Sequence, residues 1–242
     1  MSVVLKRKRA RRCAPRHATS IAIKAMPFIV ATFVSISGCS TGSLFDSDTP
    51  VPRSYVLAPA PPAVNAAPAP VDVSVSRPDL GSGLDTDRIA VLKGRHLDYY
   101  RGVRWGSRAL ELIQNLVVDS LQDQHLFRSV TPEQARVAGD YVLDLQVRDF
   151  QSQYSDRADL PTVRVAMVGR LIRIVDRELV AIVTSEANVE AQDDRLSAVM
   201  AAFESASHRA ILDLGAKLAS VVADDANALR AARAEGEPTT VQ

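Results

Sequence analysis

Cysteine is nearly absent from this sequence, and its scarcity excludes several kinds of site. Only Cys13 and Cys39 occur in 242 residues. The first lies in a basic N-terminal segment, and the second follows an apolar run. If the N-terminal segment is removed from the mature protein, Cys39 has no partner within one chain. An intrachain disulfide and a cysteine-based metal site are then both excluded.

Histidine is also scarce, and no catalytic motif replaces it. Three histidines follow the N-terminal segment, none with a second histidine at metal-ligand spacing: His96, His125 and His208. The sequence Gly81-Ser82-Gly83 lacks the helix and lysine of a phosphate loop, and no Gly-x-Ser-x-Gly elbow is present. Asp85 and Asp87 could seed a metal or acid–base site, or serve a turn and a strand edge. We therefore predict no enzyme activity, no metal and no cofactor.

The first 38 residues have the composition of an export signal. Residues 1–24 contain eight basic and no acidic side chains, and residues 25–37 are an apolar run of about 13 residues. Such a run fits the core of a signal peptide and is too short to span a bilayer. A nucleic-acid-binding arm is the alternative for the basic residues. Removal of residues 1–38 leaves 21 basic and 28 acidic residues, a net charge of −7 that argues against nucleic acid as a partner.

The signal ends in a pattern that resembles a bacterial lipobox. Its positions are Ile36, Ser37, Gly38 and Cys39. The thiol would carry diacylglycerol as a thioether, and the small residues before it would let a peptidase hold an extended backbone. A secretory signal that happens to end in cysteine is the alternative. We predict a lipoprotein signal peptide over residues 1–38 and lipidation of Cys39.

The residues after the cysteine indicate a destination. Cys39 is followed by Ser40 and Thr41 and not by aspartate, the residue that signals retention in the inner membrane. We therefore expect a lipid anchor in the outer membrane, with the protein facing the periplasm. Three acyl chains on one residue would make stable contact with membrane lipid, where one chain would be marginal.

The mature chain divides into a tether, a domain and a tail. Residues 39–70 are rich in Ala and Pro, with a short strand predicted near residues 53–57. Because such composition buries little apolar surface, we expect an extended tether in which residues 58–70 pack against nothing. Residues 71–223 form the predicted domain. Residues 224–242 form a polar tail whose last ten or so residues we expect to be disordered.

Alternating apolar residues predict strands in the domain. Val71, Val73 and Val75 alternate with polar residues, and further strands are predicted over 88–93, 126–130, 141–147, 162–175 and 179–190, with a short strand or loop over 96–100. A phase break at Phe150 indicates a bulge. The turn at residues 176–178 joins two long strands, which predicts an antiparallel meander.

Two segments have the periodicity of amphipathic helices. Residues 105–124 carry an apolar stripe at helical spacing, with Ser107 as the candidate cap, and residues 196–222 carry a second stripe. One half-buried sheet and two such helices predict an α/β (α+β) fold. We expect a two-layer sandwich with a mostly antiparallel sheet and both helices on one face.

A series of short motifs then resembles a known family. They lie before and at the start of the first helix: Leu84, Asp85, Asp87, Arg88, Tyr99, Tyr100, Arg104 and Trp105. Their order, followed by residues 112–114 and 141–145 and preceded by residues 55–57, resembles the ABC-type transport auxiliary lipoproteins, which include the PqiC lipoproteins. Tyr99, Tyr100 and Trp105 could form a ligand platform or lock a loop onto a helix. The residues themselves suggest packing or docking rather than a reactive site.

The resemblance implies a role in intermembrane lipid transport. Members of the family are expected to act without catalysis, beside an MCE-domain protein and ABC transporter subunits, at the outer-membrane end of the route. A ring-forming MCE partner would make a homo-oligomer plausible. The alternative function is an envelope-integrity lipoprotein that docks other proteins in the manner of Tol-Pal factors. A periplasmic enzyme is the third hypothesis, for which no nucleophile, metal or acid pair was found.

Overall fold

The computed structural model describes residues 51–62, 67–155 and 160–236, and side chains are described as far as residue 231. The predicted signal peptide, the predicted lipobox and Cys39 lie outside these ranges. The strands are β1 (Arg53–Tyr55), β2 (Ala69–Val75), β3 (Asp79–Leu80), β4 (Arg88–Lys93), β5 (His96–Trp105), β6 (Phe127–Pro132), β7 (Tyr141–Tyr154), β8 (Thr162–Arg173) and β9 (Leu179–Glu190). The helices are α1 (Ala109–Asp123) and α2 (Leu196–Gly236), with a 3₁₀ turn at Glu133–Ala135.

Strand β7 is the centre of a nine-stranded sheet. On one side it pairs with β8, and β8 pairs with β9, both in the antiparallel sense. On the other side the short strands β2, β3 and β4 follow one another along β7, all parallel to it. The sequence predicted the meander and a bulge, and the register of β7 does shift between Val147 and Asp149. It did not predict the parallel pairings.

Both helices share one hydrophobic core with the sheet, so the predicted α+β architecture is confirmed. Helix α2 lies over β8 and β9, and α1 packs against β6 and α2. Three aromatic rings meet inside this core: Trp105 lies 5.5 Å from Phe150 and 5.3 Å from Phe203, measured between ring centroids. Edge and tilted contacts of this kind add to the burial of large apolar surfaces.

Helix α1 begins later than the sequence predicted. The apolar stripe from Ala109 to Leu121 is buried as expected, but Trp105 is the last residue of β5. Its N–H donates to the carbonyl of Asp87 at 2.7 Å, which holds it in extended conformation. Ser107 is not the cap. Arg108 occupies that position without a side-chain hydrogen bond that caps the helix, and the carbonyl of Thr86 accepts the N–H of Ala109 instead.

The expectation that residues 58–70 pack against nothing is wrong at both ends of that segment, since Ala69 and Pro70 belong to β2. Residues 57–61, here called the strap, cross the helices. The N–H of Ala60 donates to Ser120 Oγ at 2.9 Å, and Gln124 Nε2 donates to the Pro61 carbonyl at 2.6 Å. Ala60 is only 1% exposed. The strap is held in place because the small side chain of Ala60 fits against α1. The backbone of the strap also forms hydrogen bonds with the side chains of Ser120 and Gln124.

Helix α2 extends beyond Val222, the residue at which the sequence predicted its end. It continues to Gly236, so residues 224–236 are helical rather than an irregular tail. Asp225, one turn beyond the predicted end, forms an ion pair with Arg173 at the end of β8. That contact ties the extended part of the helix to the sheet. Within the described residues, no helix combines the length and the hydropathy needed to cross a membrane.

Candidate functional site

The motif residues that follow β3 come together around the end of β5. Asp85 and Arg108 form an ion pair at 2.7 Å, and Asp87 lies 3.8 Å from Arg104. All four side chains are roughly half exposed. Exposed pairs contribute about 0–1 kcal/mol each to stability. Each carboxylate has its own arginine partner, so the two aspartates form no shared acid–base pair.

The aromatic motif residues close the same region. The guanidinium of Arg88 lies 3.9 Å from the ring centroid of Tyr99, and the Tyr99 hydroxyl donates to the Gly83 carbonyl at 2.8 Å. Tyr100 shares a 2.9 Å hydrogen bond with Ser152 of β7. Gly83 has a φ of +81°, which favours glycine at this turn.

Trp105 and Leu84 are buried beneath this network. The three aromatic residues therefore do not form an open ligand platform: Tyr99, Tyr100 and Trp105. Trp105 faces the core, and the two tyrosines hold neighbouring strands and a turn. The motif residues tie the segment 84–88 to the start of α1, and the geometry favours packing over ligand contact.

The three histidines weighed from the sequence lie in separate parts of the fold. His208 Nε2 lies 2.9 Å from the Ala58 carbonyl, His96 begins β5, and His125 has a φ of +50° just after α1. Across residues 51–62, 67–155 and 160–236, no three potential ligands gather in a way that could hold a metal ion.

The arginines of β8 do not form one basic patch. Arg164 pairs with Asp149 at 2.9 Å and also with Glu186, while Arg170 pairs with Asp144 at 2.8 Å. Arg173 points to α2 instead. The carboxylates neutralise this face of the sheet, and it offers no excess of positive charge to an anionic polymer.

A buried polar cluster joins α2 to the sheet. Arg173 donates to both carboxylate oxygens of Asp225, at 2.7 and 3.1 Å, and the Tyr141 hydroxyl donates to Asp225 at 2.7 Å. Burial and the hydrogen bond to Asp225 together raise the pKa of Tyr141 to about 12. Arg173 also contacts Asp176 and Glu178 of the turn before β9. Three carboxylates thus surround one guanidinium.

An apolar groove lies beside this cluster, beneath the C-terminal part of α2. It has two lobes that share Val71, Ala226 and Arg230 in their walls. The first lobe, about 440 Å³, is bordered by residues 139–141 and 173–175. The second, about 700 Å³, is bordered by residues 67–71 and by Ala219, Val222 and Ala223 of the helix.

The groove was not predicted from the sequence, although a signal for it was present. Ala219, Val222, Ala223, Ala226 and Arg230 recur at helical spacing towards the C-terminal end of α2, and three of the five are alanine. Small side chains on that stripe leave space between the helix and the rest of the domain.

Comparison with known proteins decides the family. The sequence model of the ABC-type transport auxiliary lipoprotein component matches residues 55–215. The chain belongs to this family. The match begins at Tyr55 of β1 and includes every motif residue between Leu84 and Trp105. No curated protein matches the sequence.

Solved structures share the fold of this family member. A Xanthomonas campestris protein of the DUF330 family aligns with a TM-score of 0.65 at 23% identity, over 72% of this chain and 98% of the other. An uncharacterised protein aligns with a TM-score of 0.54 at 13% identity, over 69% of this chain and 99% of the other. These neighbours show the architecture of the domain.

Proposed function

We propose that the protein is an outer-membrane-anchored periplasmic lipoprotein and a non-enzymatic auxiliary component of an ABC/MCE-type intermembrane lipid transport system. The match to the transport auxiliary family over residues 55–215 is the observation that carries this proposal. The predicted partners are an MCE-domain protein and ABC transporter subunits. The predicted membrane contact is the lipid on Cys39.

Strand β1 limits how far the domain can lie from the predicted anchor. Because β1 begins at Arg53, which pairs with Val103 of β5, Cys39 precedes the sheet by 14 residues. At about 3.5 Å per residue, its reach is at most about 50 Å. The Ala/Pro-rich residues 58–70 add nothing to this reach, because they follow β1, the first strand of the sheet, in sequence.

The proposal is tested by co-purification from cells. The lipoprotein would be tagged after Gln242, crosslinked in intact cells and extracted in detergent. We expect an MCE-domain protein and ABC subunits to co-purify at levels well above those of an unrelated outer-membrane lipoprotein carrying the same tag. Recovery of peptidoglycan-associated partners alone would reject the transport role and favour the Tol-Pal alternative.

A further inference from the structure

We propose that the groove beneath the C-terminal part of α2 binds an anionic amphiphile, with its alkyl chain in the two lobes and its anionic oxygen on Arg230. The inference deepens the proposed transport function and rests on it for the idea that lipid passes this domain. The site itself is argued from the groove.

The lining of the groove suits an alkyl chain. Ala219, Val222, Ala223 and Ala226 form the helix wall, and Leu126 and residues 67–71 face them across the second lobe. Small-molecule sites are typically concave, largely apolar and about 300–1,000 Å³ in volume. Both lobes fall in that range. The wall from Ala219 to Arg230 is about 16 Å long at 1.5 Å per residue, which suits an extended chain.

Exposed apolar side chains mark the mouth of the first lobe. Val175 is 87% exposed, Ile174 41% and Leu229 36%, and all three line this lobe. Solitary exposed apolar residues need no explanation, but a contiguous group around a concavity is typical of a binding site. A ligand seated in the lobe would cover these side chains.

Charge distinguishes the head of the ligand from its tail. Among the described residues, Arg230 has no carboxylate partner; it bonds only to the Ala226 carbonyl at 3.1 Å and to Asn227 Oδ1 at 2.7 Å. The other cation of the groove, Arg173, is paired with three carboxylates and has no positive charge to spare for a ligand. Asp140 is engaged by Arg128 and by the N–H of Asp72.

The groove therefore offers one guanidinium without a carboxylate partner, in the wall that both apolar lobes share. A carboxylate or phosphate would accept hydrogen bonds from Arg230, which presents them in a planar fork. A neutral hydrocarbon has no group that could pair with the guanidinium of Arg230. An apolar peptide helix likewise presents no hydrogen-bond acceptor to this guanidinium. The recognised chemistry is an alkyl chain that carries an anionic oxygen.

Binding can be measured with cis-parinarate, a fluorescent long-chain carboxylate, on the chain from Ser40 to Gln242 purified without detergent and stripped of lipid. This chain retains every described residue of the core, which extends from Ala60 to Val222. We expect saturable binding near one probe per protein. The methyl ester, which lacks the anion, should bind about tenfold more weakly.

Three variants make the test specific. Ala223→Leu with Ala226→Leu should weaken parinarate binding at least about tenfold, because the added side chains occupy the groove. Arg230→Gln should weaken parinarate about tenfold and leave the methyl ester unchanged. Arg209→Gln, an exposed arginine on the same helix, is the matched control and should change neither. Circular dichroism and Trp105 emission would check that each variant is folded.

Competition against bound parinarate distinguishes a fatty acid from a phospholipid as the source of such a ligand. Palmitate and a single-chain lysophosphatidylglycerol both carry the required chemistry, and the tighter competitor identifies the preferred headgroup. Absence of saturable binding by the wild type, or equal binding by the leucine variant, would overturn the inference. So would a wild-type dimer that the leucine variant dissociates, since a second copy would then occupy the groove.

The outcome is separable from that of the transport role. If the leucine variant loses the probe and still co-purifies with the transport subunits, both proposals stand. If the wild type fails to bind the probe but co-purifies with those subunits, only the groove assignment fails.

Discussion

Arg173 and Asp225 lie 52 residues apart in sequence and form a two-point ion pair between β8 and α2, with a shortest N–O distance of 2.7 Å. Their side chains are 11% and 9% exposed. The pair fixes α2 to the end of the sheet at the point where the helix leaves the core. It also places Ala226 and Arg230, the next residues on that side of the helix, over the groove.

Breaking this pair should destabilise the domain strongly. We expect Asp225→Asn to lower the free energy of unfolding by about 2–3 kcal/mol, because it removes the charge-assisted hydrogen bonds that Asp225 accepts from Arg173 and Tyr141. Asp213→Asn, which breaks the half-exposed pair with Lys217, is the matched control and should cost less than about 1 kcal/mol. Urea unfolding followed by Trp105 emission measures both. Equal losses would show that the buried pair has no special role.

Tyr141 should make stability depend on alkaline pH. Its pKa is raised from 10.0 to about 12 in the folded state, so the folded protein keeps a proton that the unfolded chain loses. The resulting stabilisation is fully present below pH 10 and is lost as pH rises from about 10 towards 12. Urea unfolding at several values between pH 8 and 11.5 measures the slope. Tyr141→Phe should reduce it; an unchanged slope would exclude this tyrosine as its source.

The strap should contribute to stability, contrary to the expectation from composition. Ala60→Glu would force a charged side chain into a site that is 1% exposed, detach residues 57–61 from α1 and lower the melting temperature. Val51→Glu is the control, since Val51 is 86% exposed. Limited proteolysis should cut the Ala60 variant within the strap sooner than either the control or the wild type. Identical melting and cleavage would show that the strap is dispensable.

Gly169 tests how tightly the sheet and α2 are packed. A Cβ at this position would lie 2.8 Å from Leu143 Cδ1 and 3.2 Å from Leu214 Cδ1. We expect Gly169→Ala to cost about 1–3 kcal/mol through overpacking. Combining it with Leu143→Val should cost less than the sum of the two single changes. Strict additivity in the double-mutant cycle would show that Gly169 and Leu143 do not compete for space.

The central meander could be predicted because its pattern is local. Each of β7, β8 and β9 alternates apolar and polar residues, and the turn at 176–178 joins two of them. The parallel pairings of β2, β3 and β4 with β7 could not be predicted in this way. They join short strands to a distant partner, and no property of Val73 or Val91 specifies which strand lies beside it.

The strap and the helix extension were missed for a different reason. The strap is held largely through its backbone, by the N–H of Ala60 and the carbonyl of Pro61, and composition carries no information on such bonds. Helix α2 was predicted to end where its apolar stripe ends. No proline interrupts it before Gly236, and its next turn is held by the ion pair of Asp225 with Arg173.

The motif residues could be found from sequence, but their environment could not. Asp85 and Asp87 are close enough in sequence to suggest a shared site, yet separate arginines bind them in the structure. The groove was missed for the opposite reason. Its wall is formed by small residues such as Ala223 and Ala226, which carry no chemistry of their own until a facing surface is known.

The proposed function depends on the predicted lipid anchor at Cys39. The most direct test of that anchor is the mass of the mature N-terminus, measured on protein from fractionated membranes. We predict a first peptide that begins at Cys39, carries one N-acyl chain and one S-diacylglyceryl group, and is recovered in the outer-membrane fraction. Cys39→Ser should yield no lipidated peptide. An N-terminus elsewhere, an unmodified Cys39, or recovery of the lipidated protein in the inner membrane would contradict this account of an outer-membrane-anchored lipoprotein.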